Sequence, residues 1–398
     1  MGRSSEPRSV VIVGGGPAGL ATALSLVRHA PHLADRILVL ERASYPREKI
    51  CAGGLGARAD KVLTLLGVDC DIPCVPVRGI SLRVGKGTQV QRGKGAIGRV
   101  VRRIELDEAI ARAARDRGIR IEQHARVTAV HPVDRCWQVT TSRGEVQARV
   151  LVGADGIGSV VRRAIVRNDV ALRAQAVEVD TEPSGTDPER DLLHFDARDP
   201  LVPGYCWDFP TQVEGREMVC RGAYVLLTDP KAPDAGEVLD RHLAARGLDP
   251  KSFRRKRFAE RGYNPAVRVS LPGALLVGEA AGVDPITGEG IPQALGYGER
   301  AGRYLAECFE ARDFRFEDWG DRIRGERFGF DLALRAGIVR HFYGSERDWL
   351  EEFLVSKPWF MRAGVEYFAG RRVPRGQIAR AALHAGWLWA RSRLSRAG

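Results

Sequence analysis

An α/β architecture built on a dinucleotide-binding core is predicted by three observations. A glycine turn joins an apolar strand to a helix near the N-terminus, at Gly14-Gly15-Gly16-Pro17-Ala18-Gly19. From about 171 to 262 the pattern is mostly strand-like with Pro-rich joints, as in a separate sheet. Beyond about 311 the composition is helical and holds five of the seven tryptophans.

The glycine turn follows the run Val10-Val11-Ile12-Val13 and has the spacing G-x-G-x-x-G. Gly14 allows a tight turn, Gly16 lets backbone N–H groups approach a pyrophosphate, and Gly19 lets the helix pack close to the strand. Pro17 sits near the helix start, where its missing N–H costs nothing. The helix N-terminus then offers unpaired donors and a positive dipole end to a diphosphate. A second apolar run, Ile37-Leu38-Val39-Leu40, is closed by Glu41, 22 residues past Gly19, whose carboxylate can accept hydrogen bonds from a ribose. Strand, helix, second strand and terminal acid in register predict that the N-terminal part binds an ADP-containing dinucleotide.

Residues 45–56 form a Gly-rich loop leading into a helix near 57–66. Residues 79–84 alternate apolar and polar, Gly85-Lys86-Gly87 offers a turn and Val90 begins a return, which predicts a hairpin. Leu106, Ile110, Ala113 and Ala114 define one face of a helix over 106–117, ended by Gly118. Residues 119–121, 127–130, 137–140 and 146–152 read as successive short strands of a β-meander that ends at Gly153-Ala154-Asp155-Gly156. Leu275-Leu276-Val277 is a buried strand leading into Gly278-Glu279-Ala280-Ala281-Gly282. The division expected is a discontinuous dinucleotide-binding domain (1–75, 98–170 and 264–310), an inserted, mainly antiparallel β-sheet substrate domain (76–97 and 171–263) and a helical C-terminal cap (311–398).

With 398 residues, 44% apolar and 28% charged, the chain has the composition of a soluble globular protein with room for two or three domains. No signal-peptide pattern precedes Val10, Glu6 breaks the myristoylation pattern, and no apolar run approaches the ~18 residues of a membrane span. A cytoplasmic location is expected. The seven cysteines form no C-x-x-C pair, so a metal site is not expected and free thiols are the default. The net charge of +12 is uneven: residues 371–398 carry seven arginines and no acid, with Leu383, Trp387, Leu388 and Trp389. This reads either as a solvated helix packing its Trp side on the body or as a peripheral anchor on anionic lipid. No recognition motif for nucleic acid accompanies the charge.

The glycine turn, Gly153-Ala154-Asp155-Gly156 and the stretch Gly278-Glu279-Ala280-Ala281-Gly282-Val283-Asp284-Pro285-Ile286-Thr287-Gly288-Glu289-Gly290-Ile291 occur in the order seen in FAD-dependent oxidoreductases, the superfamily of the aromatic hydroxylases. The chain resembles that superfamily over residues 9–305. The resemblance implies FAD as cofactor, held in a Rossmann-type FAD-binding domain with a β-meander. It implies that Glu279, where the usual residue is Asp, hydrogen-bonds the ribityl or pyrophosphate region. Pro285 and Gly288-Glu289-Gly290 would lie along the isoalloxazine, and the helix from Ile291 would point its N-terminus at the N1/C2 edge. Arg103 matches a family arginine that reaches the cofactor; the alternative is a surface arginine at a helix start. The other cofactor contacts so implied are Gly14, Gly16, Pro17, Ala18, Gly19, Glu41, Arg42, Cys51, Ala52, Gly53, Val127, Asp155, Gly156 and Gly278.

Two segments resemble one branch, the geranylgeranyl reductases. Lys49-Ile50-Cys51-Ala52-Gly53-Gly54-Leu55 is similar to their K-x-C-G-G-G loop, with Ala52 for the first glycine, and Gly204-Tyr205-Cys206-Trp207-Asp208-Phe209-Pro210 to their Y-x-W-x-F-P motif. The resemblance implies reduction of prenyl C=C bonds by hydride from N5 of reduced flavin, with Cys51, Tyr205 and Trp207 as the catalytic candidates. Tyr205 and Trp207 would line an apolar cavity. Cys51 or Tyr205 would supply or relay the proton, or Cys51 would gate its loop. The plainer alternatives are a small buried thiol for Cys51 and core packing for Trp207. Tyr205-x-Trp207-x-Phe209-Pro210 also resembles the W-x-W-x-I-P of flavin-dependent halogenases, so a monooxygenase or halogenase acting on a natural-product intermediate is the alternative, and an idle flavoprotein a third. With no second G-x-G-x-x-G, the electrons come from visiting NADPH or from a ferredoxin or reductase, which the basic surface would suit. The expected partners are a lipophilic small molecule, an electron-donor protein and, through 371–398, a membrane surface.

Overall fold

The computed structural model describes residues 8–168, 172–227, 232–344 and 346–371, and besides these 376, 380, 383 and 386. Its first sheet is built around the strand Arg8–Val13, flanked in parallel by Ile37–Leu40 and by Gly144–Gly153. Arg120–Glu122 adds a parallel strand beyond Ile37–Leu40, and Ala274–Leu276 does so beyond Gly144–Gly153. Val10 to Ile12 and Ile37 to Leu40 are almost fully buried, as expected of continuous apolar runs in a parallel sheet. The helix Pro17–His29 crosses over between the first two strands and packs along the helix Ile291–Ala311. The approach is close because Gly298 and Gly302 face the 17–29 backbone, where a Cβ on either would overlap Thr22 or Ser25. Gly144–Gly153 joins the parallel and antiparallel parts of this eight-stranded sheet. Its first half pairs antiparallel with Cys136–Thr141, which pairs with Val127–Val133, and its second half joins the parallel strands.

The second sheet has seven strands in the order Lys256–Arg261, Arg173–Thr181, Arg216–Leu226, Gly204–Val213, Leu192–Ala197, Gly79–Val84 and Gly87–Arg92. All neighbours are antiparallel except Leu192–Ala197 beside Gly79–Val84. Alternation along Gly204–Val213 decides what each face carries. Tyr205, Trp207 and Phe209 share one apolar core with Leu193, Tyr224, Val339 and Val365. Cys206 lies in another core with Val177, Ala223 and Val238, under the helix Ala235–Ala244. On that far face Asp208, 1% exposed, accepts hydrogen bonds from Arg221 (2.7 Å) and Arg246 and pairs with His242 (3.0 Å). Burial alone would push its carboxyl up; His242 and Arg246 hold it well below the usual range. The helices Arg327–Phe342 and Pro358–Phe368 cover the aromatic face, and Arg347–Ser356 adds Leu354 to the lining of the space between.

Four local expectations need correction. Residues 119–121 do not open the meander: after Gly118 (φ 78°) the chain returns to the far edge of the parallel sheet, where Arg120 pairs with Leu38. The helix expected from Leu106 starts at Arg103. Gly54–Gly56, read as loop, pairs with Gly98–Val101, which also pairs with Cys74–Val77 in a small third sheet. The 171–262 region contains the helix Ala235–Ala244, capped by Asp234, whose side chain accepts from the Gly236 N–H, with Val238, Leu239 and Leu243 turned inward.

Candidate active site

At the C-terminal ends of the parallel strands, where ligands of open α/β sheets bind, the chain breaks into three loops. Gly14 turns with φ 105° and donates its N–H to the Leu40 carbonyl (2.9 Å). A side chain here would be strained by φ and would strike the Ala154 carbonyl oxygen. Glu41 is 5% exposed and its two carboxylate oxygens accept from the Gly15 N–H (3.0 Å) and the Ala43 N–H (2.9 Å), so it braces the turn. Among the described residues no side chain caps the helix Pro17–His29 at Gly16.

Two arginines meet behind this turn on one buried carboxylate. Arg103 forks onto Asp107 (2.6 and 2.8 Å), and Arg47 reaches Asp107 at 3.0 Å and Glu41 at 3.5 Å. Arg103 lies within a buried wall and is not a surface residue. Burial opposes its charge, and Asp107 more than offsets that, holding the guanidinium protonated. Arg47 Nε and Glu279 Oε1 are buried without a hydrogen-bond partner among the described residues. An uncapped helix start, clustered arginines and these two open polar atoms fit a diphosphate-bearing cofactor.

Asp155 lines the same cavity, but its carboxylate already accepts from Ser159 Oγ and the Val160 N–H (2.6 Å), capping the helix Val160–Ile165. In the third loop, Asp284 is buried, accepts from the Ile286 N–H (2.8 Å) and pairs with Arg335, while Glu289 pairs with Arg58 (3.1 Å). Three phenols then tie this loop to its surroundings. Tyr205 donates to the Thr287 carbonyl, Tyr224 to Pro285 (2.9 Å) and Tyr343 to Ile286 (2.6 Å).

Beyond the loop stands an aromatic wall. Tyr205 stacks on Tyr224 (5.3 Å, 19°), and Phe195 meets Tyr205 and Phe209 edge-on, both at 5.2 Å. Cys51 sits at the junction. Its N–H donates to Glu178 (3.1 Å), its sulfur accepts from the Gly53 N–H (3.4 Å), and burial pushes the thiol up. Glu178 is likewise pushed up, to about 7, by burial and by Asp180.

One cavity of about 960 Å³ runs from the glycine turn, past Cys51 and Gly288, to the aromatic wall and under the C-terminal helices at Leu334, Phe342 and Phe360. Of the residues singled out from the sequence, Gly14, Gly16, Pro17, Ala18, Glu41, Arg42, Cys51, Ala52, Gly53, Arg103, Val127, Asp155, Gly156, Tyr205, Trp207, Glu279 and Gly288 to Ile291 line it. Gly19, Gly278 and Pro285 stand behind the lining: a Cβ on Gly19 would strike the Gly14 carbonyl, one on Gly278 would meet Ala18, and Pro285 lies against Gly262. Glu178, Tyr224 and Glu260 escaped the sequence reading. Tyr224 and Glu260 continue the alternation of Tyr205-x-Trp207 onto neighbouring strands, a signal visible only once the strand pairing is known. The stretch 371–398, read as a cap or an anchor, lies almost wholly outside the described residues. Among the described residues no helix is long and apolar enough to cross a membrane.

A family model described as an FAD binding domain matches residues 8–187. The chain is 31% identical over 368 residues to a menaquinone reductase of Mycobacterium tuberculosis, with 85% of each chain covered. It is 26% identical over 361 residues to a digeranylgeranylglycerophospholipid reductase of Methanosarcina acetivorans, again over 85% of each. Among solved structures, a geranylgeranyl bacteriochlorophyll reductase-like protein of Thermoplasma acidophilum is similar with a TM-score of 0.68 at 20% identity, over 83% of this chain and 87% of that one. A flavin-dependent brominase has the same fold, with a TM-score of 0.69 at 19% identity over 95% and 98%.

Proposed function

Because the chain belongs to the geranylgeranyl reductase family of FAD-dependent oxidoreductases, we propose that it reduces a carbon–carbon double bond in the isoprenoid part of a lipophilic substrate. The observation that carries this reading is the continuity of the cavity: one space joins the glycine turn to a mainly aromatic and aliphatic enclosure. A prenyl chain has no hydrogen-bonding groups to satisfy, and such an enclosure takes it up by excluding water.

Reduced FAD, when bound, supplies a hydride equivalent. The glycine turn and the start of the helix Pro17–His29 would hold the diphosphate, with Arg47 and Arg103 near it as fixed positive charge. Glu41 would take the ribose with lone pairs left over from bracing the turn. Cys51 and the 288–290 backbone would border the reacting end, and Tyr205 and Trp207 would press the alkene toward it. Electrons would arrive from NADPH or a protein donor.

The test is anaerobic. The flavin is reduced with dithionite, a polyprenylated naphthoquinone is added, and reoxidation is followed by absorbance, with mass spectrometry of the extract after re-exposure to air. Air reverses reduction of the quinone ring and leaves a saturated side chain unchanged. Anaerobic reoxidation with a side chain richer by two hydrogens is expected. Product that forms only when oxygen is admitted would replace this reading with the oxygenase or halogenase alternative raised by Tyr205-x-Trp207-x-Phe209-Pro210.

A further inference from the structure

Reduction of an alkene needs a proton as well as a hydride, and Glu260 is placed to give it. Glu260 lies on the edge strand Lys256–Arg261, paired with Ala174. Two residues earlier Phe258 pairs with Ala176, which pairs with Tyr224, which pairs with Tyr205. Strand alternation therefore puts Phe258 and Glu260 on the same face as the aromatic wall, and both line the cavity. A carboxyl here interrupts an apolar surface. A Cβ built on Gly288 would lie 2.9 and 3.3 Å from its two oxygens, so it stands against the loop whose family motif follows the isoalloxazine.

Glu260 Oε2 is buried and has no hydrogen-bond partner among the described residues. Its charged neighbours are the carboxyls of Glu279 and Asp284, with Lys49 as the opposing cation. Asp284 is committed to Arg335. Burial first, then Glu279 and Asp284, push the Glu260 carboxyl well up and favour its protonated form. Of the other acids of the wall, Tyr205, Tyr224 and Tyr343 already donate their protons to backbone carbonyls, and the Cys51 sulfur accepts from Gly53.

We propose that Glu260 is the general acid of the reduction and protonates the alkene carbon that does not receive the hydride. The O–H bond of the carboxyl breaks and a C–H bond forms with the electron pair of the alkene. The other carbon takes hydride from reduced FAD, which is oxidised by two electrons as the alkene is reduced. The carboxylate left behind regains a proton from water once product leaves. This assignment rests on the reductase reading.

Two variants and one spectrum test it. Each protein is loaded with FAD, reduced with dithionite and mixed anaerobically with the polyprenylated naphthoquinone, and side-chain saturation is followed by mass spectrometry. E260Q is expected to bind FAD and be reduced like the wild type, but to saturate the side chain at least about 100-fold more slowly per bound flavin, with partial recovery in E260D. Infrared spectra at pH 7 should show a protonated-carboxyl C=O band that shifts in D2O and is missing from E260Q. An unchanged rate per bound flavin in E260Q would overturn the proposal, including where that variant binds FAD weakly, because Glu260 would then only hold the cofactor. Absence of the band in the wild type, or a band unmoved in E260D, would overturn it independently, so a poorly folding E260Q leaves the matter decidable. Failure of the wild type itself to saturate the side chain is a different result, and removes the reductase reading.

Discussion

Gly14 has no room for a methyl group and a backbone angle that side chains avoid. Gly14→Ala adds about 1–2 kcal/mol of backbone strain before any clash with Ala154. The expected outcome is a protein with normal circular dichroism that purifies with little flavin, read from its flavin-to-protein absorbance ratio. This residue was fully legible in the sequence, because the chemistry that demands it is local. Glu178 was not: its importance comes from burial behind Cys51, which only the assembled sheet provides. Its carboxyl titrates near 7 in the folded protein against an ordinary value of 4.5. A raised carboxyl pKa means that the native state holds the proton more tightly. The associated stability is complete below pH 4.5 and is lost as pH rises through about 7. The loss is on the order of 3 kcal/mol. Urea midpoints at pH 5 and pH 8 should therefore converge in Glu178→Gln.

At the scale of elements, the second sheet is a partition with two unlike faces. Tyr205-x-Trp207-x-Phe209 announces the cavity side through its period of two, and that much could be read from the sequence. The far side could not, because Asp208 sits in the same motif and looks like an ordinary strand polar residue. Its partners Arg221, His242 and Arg246 come from a neighbouring strand and from in and just beyond a helix that the strand-rich composition concealed. Asp208→Ala would leave the Arg246 guanidinium buried without its anion and Arg221 with Asp187 alone, at a cost of about 3–5 kcal/mol in chemical denaturation. The place of the strand Arg120–Glu122, at the parallel edge and not in the meander, escaped for a similar reason. A three-residue strand carries too little pattern to reveal its neighbour, and only the helix before it, returning it to the sheet, fixes where it pairs.

Across the whole molecule, the cavity has walls from segments as far apart as Gly14 and Phe368, and its helical roof was beyond sequence pattern for that reason. Gly364 lies on the roof helix Pro358–Phe368 and lines the cavity, with open space where a Cβ would stand. Gly364→Trp should shorten the enclosure without disturbing the fold. Short prenyl chains should still be reduced, while long chains should lose turnover first, as measured with a chain-length series. Helix propensity should keep thermal stability equal or slightly higher, by up to about 1 kcal/mol.

The three phenol hydroxyls on the carbonyls of residues 285–287 come from two strands of the second sheet and from the end of the helix Arg327–Phe342, at Tyr343. They tie the aromatic wall and the 285–287 loop into one mechanical piece, so that, on the proposed reading, neither ligand would settle without resetting the other. Such coupling is reciprocal by thermodynamic necessity: whatever factor a prenyl chain adds to FAD affinity, FAD must add to prenyl affinity. Fluorescence titration of FAD with and without the quinone probe, repeated in Tyr343→Phe, should show that factor shrinking when one tie is cut.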